Sequence, residues 1–445
     1  MRAARKACEK ITQKEAGKRV WVTSECISAT LYGTALSLFS FVLLRLLLER
    51  DAYNMPELMM ETDYLHWELP LPAVSVCEED NKEAIEKFVR SYYIEEDEVI
   101  KVSSFLENLV HPRANYCISC IASCNSCPKQ GYSTLVSKLS ASCDDTFVEC
   151  KWRGQAFNCC QHFHPLLTPW GRCFSLNSRQ TKSVEQVQLF TVNHNERNNI
   201  LEMKYKRPVK LHLHDPYDID FSKPLANSKR TQNIEGSVTM GHKLQVIYKF
   251  RNIDIHQSAW ELKRNQRGCT LPREIDLRYY REYSLSACLA SCEVKNQMWF
   301  CNCSHHLLSP NRKVKECNFE GLHCLDTYFG VNGKENRKKY QKQKIRCQCL
   351  PACQGTEIRT VYKAVTSTGD QNISSELQLT TAATEKITMH SRLRMVDFLV
   401  AVACLSRLFT ELTLYDVVVI LFSGARSITR HLKNSFTKRP SIHTS

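Results

Sequence analysis

The densest cysteine cluster in this chain lies between residues 269 and 353. Ten of the 23 cysteines fall in this stretch, an even number that allows all of them to pair. The cytosol keeps thiols reduced, whereas dense cysteine clusters form disulfide frameworks in oxidising compartments. The sequence therefore predicts an extracellular, disulfide-stapled region, built from Cys269, Cys288, Cys292, Cys301, Cys303, Cys317, Cys324, Cys347, Cys349 and Cys353.

Two apolar runs near the ends of the chain predict membrane helices. The first, Ile27–Leu48, would reach about 33 Å as a helix at roughly 1.5 Å per residue, enough to cross a bilayer. The second is Met395–Phe422. Basic residues beside both runs favour the cytoplasmic side. We therefore expect a plasma-membrane protein divided into a cytoplasmic tail 1–26, a transmembrane helix 27–49, an extracellular domain 50–394, a transmembrane helix 395–422 and a cytoplasmic tail 423–445.

The net charge of +14 would by itself suggest a nucleic-acid binder. Its distribution indicates otherwise, because residues 1–21 and 424–445 together carry about two thirds of it, and the body is almost neutral. Basic tails beside apolar runs are typical of membrane proteins in contact with lipid. We expect no nucleic-acid partner.

Each apolar run has a second interpretation. Ile27–Leu48 could belong to a removable signal peptide, although a long polar stretch precedes it and no small-residue cleavage pattern follows. Met395–Phe422 could be a buried soluble helix, because centrally placed charges are costly in lipid unless they face a polar cavity. The charged residues in this second run are Asp397, Arg407, Glu411 and Asp416.

Short apolar or alternating stretches in the outer segment predict strands over residues 71–77, 243–250 and 357–362. Proline cannot donate a backbone hydrogen bond, so Pro72 should place the first strand at a sheet edge or place the proline at the strand start.

A helix is predicted to follow Ser284 or Ser286, either of which can cap its first turn. Residues four apart lie on one face of a helix, so Cys288 and Cys292 should reach two partners on a neighbouring element rather than each other. An extended strand places alternate residues on one face, and the pair that could meet them is Cys347 and Cys349.

Four closely spaced cysteines have the spacing of a zinc site, but an oxidising compartment favours disulfides. Both interpretations stay open for Cys117, Cys120, Cys124 and Cys127.

Other polar motifs are less specific. Asn302 and Asn372 begin N-glycosylation sequons, and Asn372 is the better acceptor because Cys303 falls inside the first sequon. The basic run at 333–344 fits a solvated helix or loop better than a binding patch. His162 and His164 are expected to be surface residues rather than ligands, so we predict no metal and no cofactor.

Motifs at separate places along the chain resemble the degenerin/epithelial sodium channel family. The stretch 66–77, HWELPLPAVSVC, resembles the family's F-P-A-V-T-I-C strand, and 168–177, TPWGRCFSLN, is similar to its T-x-x-G-x-C-Y-T-F-N. The cysteine-rich segments look like the family's thumb, and 267–274, RGCTLPRE, looks most like the insect pickpocket branch. The thumb-like segments are 267–274, 283–292, 300–303 and 347–353.

The resemblance implies an α+β membrane protein in which two transmembrane helices flank a large disulfide-rich extracellular domain with a β-sheet palm and a helical cysteine-rich thumb. It also implies a five-rung ladder of disulfides and two further bridges. The ladder would be Cys269–Cys353, Cys288–Cys349, Cys292–Cys347, Cys301–Cys324 and Cys303–Cys317, and the further bridges Cys77–Cys173 and Cys150 with Cys159 or Cys160. Three more bridges could form among Cys117, Cys120, Cys124, Cys127, Cys143 and the spare member of the Cys159/Cys160 pair.

By the same resemblance, the chain would be a subunit of a homo- or heterotrimeric, amiloride-sensitive-type sodium channel gated through its extracellular domain. The second membrane helix would line the pore and select sodium ions through a narrow ring of carbonyls and hydroxyls. This chain departs from the family at the filter, where Glu411, Leu412 and Thr413 replace a Gly-x-Ser triplet. It departs again at the expected gating motif before the first helix, where Tyr32 precedes Gly33 in place of histidine.

These departures leave alternative functions open. The chain could be a non-conducting or modulatory subunit, or a membrane-anchored cysteine-rich receptor without a pore. No Ser-His-Asp, paired-carboxylate or phosphate-loop signature stands out, so we do not expect an enzyme.

Overall fold

The computed structural model describes most of the chain, in segments. These are residues 33–45, 47–48, 55–111, 124–181, 190–196, 198–219, 234–308, 314–330, 343, 345–380, 385–391 and 395–410. The chain divides into two compact units, one comprising Leu58–His390 and the other the two ends of the chain.

In the terminal unit, residues 33–45, residues 47–48 and Met395–Thr410 are helical. Among the described residues, no helix combines the length and the apolar character that crossing a bilayer requires. The predicted spans, 27–49 and 395–422, both extend into residues outside the described part of the chain.

The larger unit contains three sheets. The described strands are β1 Pro56–Glu61, β2 Glu68–Pro70, β3 Ala73–Glu78, β4 Phe147–Trp152, β5 Gln155–Phe157, β6 His164–Thr168, β7 Gly171–Leu176, β8 Thr191–Asn193, β9 Ile200–Tyr205, β10 Val209–His214, β11 Ile234–Val238, β12 His242–Ile255, β13 Gly355–Ser367, β14 Ile373–Leu379 and β15 Lys386–Ser391. An eight-stranded sheet has the order β1-β15-β12-β14-β9-β4-β5, with β13 also paired to β12. A five-stranded sheet has the order β11-β10-β3-β7-β6. The third sheet consists of β2 paired with β8.

The long strand β12 organises the eight-stranded sheet. It pairs antiparallel with β13 over His242–Ile253 and parallel with β14 and then β15. Fully buried side chains alternate with more accessible ones along β9 and β14, as expected for strands with one face on a core. The two larger sheets share one buried apolar cluster, which includes Leu211, Met203 and Leu244; we call this the sheet core.

The remaining described elements are helical, and most are short. They are Tyr64–His66 (a 3-10 turn), Lys82–Arg90, Glu96–Val110, Tyr132–Leu139, Cys143–Thr146, Cys159–His162, Gln257–Trp260, Arg264–Arg267, Leu285–Cys301 and Phe319–Phe329. Three of the longer ones, in residues 82–139, pack with residues 303–325 around a second apolar cluster.

The strands predicted at 71–77, 243–250 and 357–362 are confirmed as β3 and as parts of β12 and β13. Pro72 immediately precedes β3, which lies inside the five-stranded sheet, so the strand-start alternative is the correct one. Buried polar groups on β3 are hydrogen bonded: Ser75 Oγ lies 2.9 Å from Ser175 Oγ and 2.8 Å from His214 Nε2. The mixed α+β character predicted for this region is thereby established.

A candidate gating domain built on a disulfide ladder

The helix Leu285–Cys301, which we call the thumb helix, forms the spine of the cysteine-rich region. Ser284 caps it, since its hydroxyl accepts a hydrogen bond from the Ala287 amide at 3.1 Å, which confirms one of the two predicted caps. The helix ends at Asn302, whose φ of 53° is left-handed. Its buried positions are largely small or polar, so apolar packing alone holds it weakly.

Two disulfides staple one face of the thumb helix to the extended segment that follows Ile345. Cys288 is joined to Cys349 and Cys292 to Cys347, with Cα separations of 5.8 and 6.0 Å. Cysteines four apart on the helix thus meet cysteines two apart on an extended chain. Tyr283 adds a further link, because its hydroxyl donates to the Leu350 carbonyl at 2.7 Å.

Two more disulfides fix the far end of the thumb helix to the helix Phe319–Phe329. They join Cys301 to Cys324 and Cys303 to Cys317. Gly321 allows this close approach, because a Cβ at that position would lie 2.6 Å from the Cys303 sulfur. The fifth bridge, Cys269–Cys353, closes the base of the region. All five pairs are those that the resemblance implies, and we call residues 269–353 the ladder region.

Disulfides outside the ladder region stabilise the sheets. Cys77 on β3 is joined to Cys173 on β7, where the two residues are direct cross-strand partners. The structure also resolves the choice between adjacent cysteines, with the bridges Cys150–Cys159 and Cys143–Cys160.

Of the four cysteines with zinc-like spacing, Cys124 and Cys127 are joined to each other by a disulfide. Cys117 and Cys120 lie outside the described residues. The described part of the chain gathers no group of three or more side chains that could hold a metal ion.

The ladder region is also fixed to the helices of residues 82–139. The Glu316 carboxylate accepts hydrogen bonds from the Ser133 amide at 2.8 Å and the Ser133 hydroxyl at 2.6 Å. Lys129 lies 4.3 Å from the Phe319 ring centroid, in a cation–π contact. No sequence pattern predicts these contacts, because their partners are about two hundred residues apart and each residue type is common on surfaces.

A half-buried acidic pair, Asp215 and Asp218, joins the thumb helix to the sheets. Asp215, at the end of β10, accepts hydrogen bonds from the amides of Tyr217, at 2.8 Å, and Thr356 on β13. Asp218 accepts from the Ser286 hydroxyl at 2.7 Å in the first turn of the thumb helix. Burial, with a smaller effect of the Asp218 charge, raises the pKa of the Asp215 carboxyl to about 7.

The two histidines expected at the surface are half-buried. His162 Nδ1 and His164 Nε2 are inaccessible to solvent and have no hydrogen-bond partner in the described part of the chain. Burial lowers the pKa of both imidazoles. The expectation of surface residues was wrong in this respect, because Phe157 and Phe190 pack against the His162 ring.

The predicted filter residues Glu411, Leu412 and Thr413 lie outside the described part of the chain, as does Tyr32 of the predicted gating motif. Gly33 begins the first described helix, with open space where a Cβ would be. The predicted glycosylation sites Asn302 and Asn372 are both exposed, and glycosylation of either remains a prediction.

Comparison with known proteins agrees with this architecture. Residues 27–401 match the family described as amiloride-sensitive sodium channel. Similar curated proteins include three called sodium channel protein Nach. The one from Drosophila ananassae is 23% identical over 232 residues, covering 49% of this chain and 42% of that protein. The one from Drosophila virilis is 24% identical over 232 residues, covering 49% and 56%, and the one from Drosophila melanogaster is 22% identical over 242 residues, covering 49% and 44%.

The chain thus spans about half the length of the curated relatives it matches, all of which come from insects. The family match is broader than these pairwise matches, since it covers most of the chain and includes the whole ladder region. The sequence motifs and this match together establish that the chain belongs to the amiloride-sensitive sodium channel family.

Proposed function

We propose that this protein is a subunit of a trimeric sodium channel of the plasma membrane, blocked by amiloride and gated through its extracellular domain. The observation that carries the proposal is the family match over residues 27–401, which includes the complete five-rung ladder. Three similar insect proteins bear the name sodium channel protein. Both apolar runs, 27–49 and 395–422, would cross the membrane with cytoplasmic tails 1–26 and 423–445.

The ladder region suits a gating role. Disulfides limit the conformations open to a segment, so a movement at one end of the thumb helix passes to the other end with little internal deformation. The acidic pair and the Glu316 contacts connect this segment to the rest of the extracellular domain. A ligand or force that acts outside the membrane could therefore shift the equilibrium between two arrangements of the extracellular domain.

The pore proposal rests on sequence. Glu411, Leu412 and Thr413 would form the constriction, with Thr413 supplying a hydroxyl and Glu411 a carboxylate in each of three subunits. Three close carboxylates would attract cations or raise one another's pKa values. Arg407, four residues before Glu411, could instead neutralise that charge.

Electrical recording tests the proposal. Cells expressing the chain, alone or with a related subunit, should carry a sodium-dependent current that amiloride blocks. A Glu411→Gly, Thr413→Ser variant, recorded beside the wild type, should conduct at least as well. Surface biotinylation provides the control for delivery. Silence of both forms at normal surface levels, with and without a related subunit, would argue against conduction.

A non-conducting, modulatory subunit is the second candidate, favoured by the glutamate at the expected glycine position of the filter. It predicts that the wild type is silent alone but alters the current of a co-expressed relative, while the Glu411→Gly, Thr413→Ser variant conducts alone. A receptor without a pore predicts no effect on current in either case.

A further inference from the structure

A buried arginine organises the base of the ladder region. Arg267 immediately precedes Gly268 and Cys269, and its side chain is only 1% exposed. Its Nη1 donates to the Leu262 carbonyl at 2.9 Å and the Trp260 carbonyl at 3.2 Å. Its Nε lies 3.3 Å from the Cys269 carbonyl. One guanidinium therefore holds three backbone carbonyls of a single loop.

The charge of Arg267 is balanced by Glu274. Nη2 donates to Glu274 Oε2 at 2.5 Å, and the same carboxylate oxygen accepts from the Leu271 amide at 2.8 Å. All three guanidinium nitrogens are thus used within the loop 260–274. A lysine would present a single charged nitrogen and could not satisfy this planar set of acceptors.

The loop 260–274, which includes the short helix Arg264–Arg267, packs the Cys269–Cys353 bridge against β15. Both cysteines are buried in a small apolar cluster with Leu262, against which Met389 of β15 packs. The Cys269 sulfur lies 3.9 Å from the Met389 sulfur. The bridge at the base of the ladder region is therefore in direct contact with β15.

Polar contacts beside the bridge attach β15 a second time. Gln354, the residue after Cys353, donates to Asp254 at 2.8 Å, and Lys386 of β15 lies 3.0 Å from the other oxygen of that carboxylate. The His256 amide also donates to the Met389 carbonyl at 2.9 Å. β15 thus contacts the ladder base directly through Met389 and indirectly through Asp254, a residue of β12 that binds both Gln354 and Lys386.

We propose that Arg267 is a positioning residue for gating, which folds the loop 260–274 so that the Cys269–Cys353 bridge holds β15. This inference rests on the proposed channel function, and β15 precedes the helix Met395–Thr410 by three residues in sequence. Loss of the guanidinium fork would weaken the contact of the ladder base with β15, which stays paired with β12, while leaving the disulfides intact.

Hydrogen exchange on the full-length protein in detergent tests the contact without requiring a current. In an Arg267→Lys variant, the amides of β15 should exchange about tenfold faster, as expected when a local contact is weakened. The amides of β10 should be unchanged, and mass spectrometry should still find the Cys269–Cys353 bridge. Arg278→Lys, at an exposed arginine nearby, is the matched control and should match the wild type.

The outcomes separate this inference from the proposed function. The inference is overturned if the β15 amides exchange at the wild-type rate in both the Arg267→Lys variant and the milder Glu274→Gln variant. It is also overturned if exchange becomes faster throughout the protein in both variants. Where the wild type carries current, Arg267→Lys should alter the rates at which the channel opens and closes. Its surface level and its reversal potential should equal those of the wild type. Unaltered rates would also overturn the proposed role of Arg267 in gating. If no form conducts, the proposed function fails, yet the exchange result still decides the β15 contact.

Discussion

The sheet core and the ladder region are stabilised in different ways. Among the residues that the structure describes, the sheet core buries 25 apolar residues between two sheets, whereas the apolar cluster around the thumb helix has seven. Five disulfides hold the ladder region together, in addition to the packing of residues 303–325 in the second apolar cluster. A segment with few large apolar residues can be ordered and stiff when it is cross-linked, because the bridges limit its unfolded conformations. Such a segment can be moved as one piece.

The largest expected effect is in the sheet core. Leu211 on β10 is completely buried, so Leu211→Ala should lower the free energy of unfolding by about 2–5 kcal/mol through lost burial and a residual cavity. Denaturant unfolding of the full-length protein measures this. The control is Val361→Ala on β13, where the side chain is 55% exposed and the change should stay within about 0.5 kcal/mol. Equal losses in the two variants would contradict the assignment of stability to the sheet core.

Removing one rung should cost less than a typical isolated disulfide. In a Cys292→Ser, Cys347→Ser variant, the adjacent Cys288–Cys349 bridge still closes almost the same loop. We therefore expect a loss of about 1–2 kcal/mol, below the usual about 2–4 kcal/mol. Thermal unfolding beside a Cys288→Ser, Cys349→Ser variant measures both rungs. A full-sized loss from either single rung would show that the rungs do not share the constraint.

Sequence reasoning predicted more of the ladder region than of its contacts with the sheets. The pairing of Cys288 and Cys292 with an extended segment follows from local periodicities. Side chains about four residues apart share one face of a helix, and side chains two residues apart share one face of an extended strand. The choice between Cys159 and Cys160 could not be made, because adjacent residues offer the same reach to distant partners. The contact of Asp215 with Thr356 and the parallel pairing of β12 with β14 and β15 depend on tertiary folding, which no local pattern encodes.

The acidic link between the regions predicts a pH dependence. Asp215 has a pKa near 7 when folded, above its ordinary 3.8, so its contribution to stability is complete below about pH 4 and is lost as the pH rises through 7. Between pH 5 and 8 the loss should reach at most about 1.4 kcal/mol per pH unit, the limit for one proton. The melting temperature of the wild type should fall as the pH rises across this range. Asp215→Asn should reduce this dependence on pH, whereas Asp276→Asn, at an exposed position, should retain it. Identical slopes in wild type and Asp215→Asn would exclude this link as the cause.

The smallest expected effect tests whether the ladder region depends on its cap as well as its bridges. Ser284→Ala removes the acceptor for the Ala287 amide and should cost about 1 kcal/mol, whereas Ser284→Asn keeps an acceptor and should cost less. Because the bridges hold the rest of the thumb helix, the loss should be local. Hydrogen exchange should quicken at the first turn, residues 285–288, and remain at the wild-type rate near Cys301. Faster exchange along the whole helix would mean that the cap, and not the ladder, keeps the thumb helix folded.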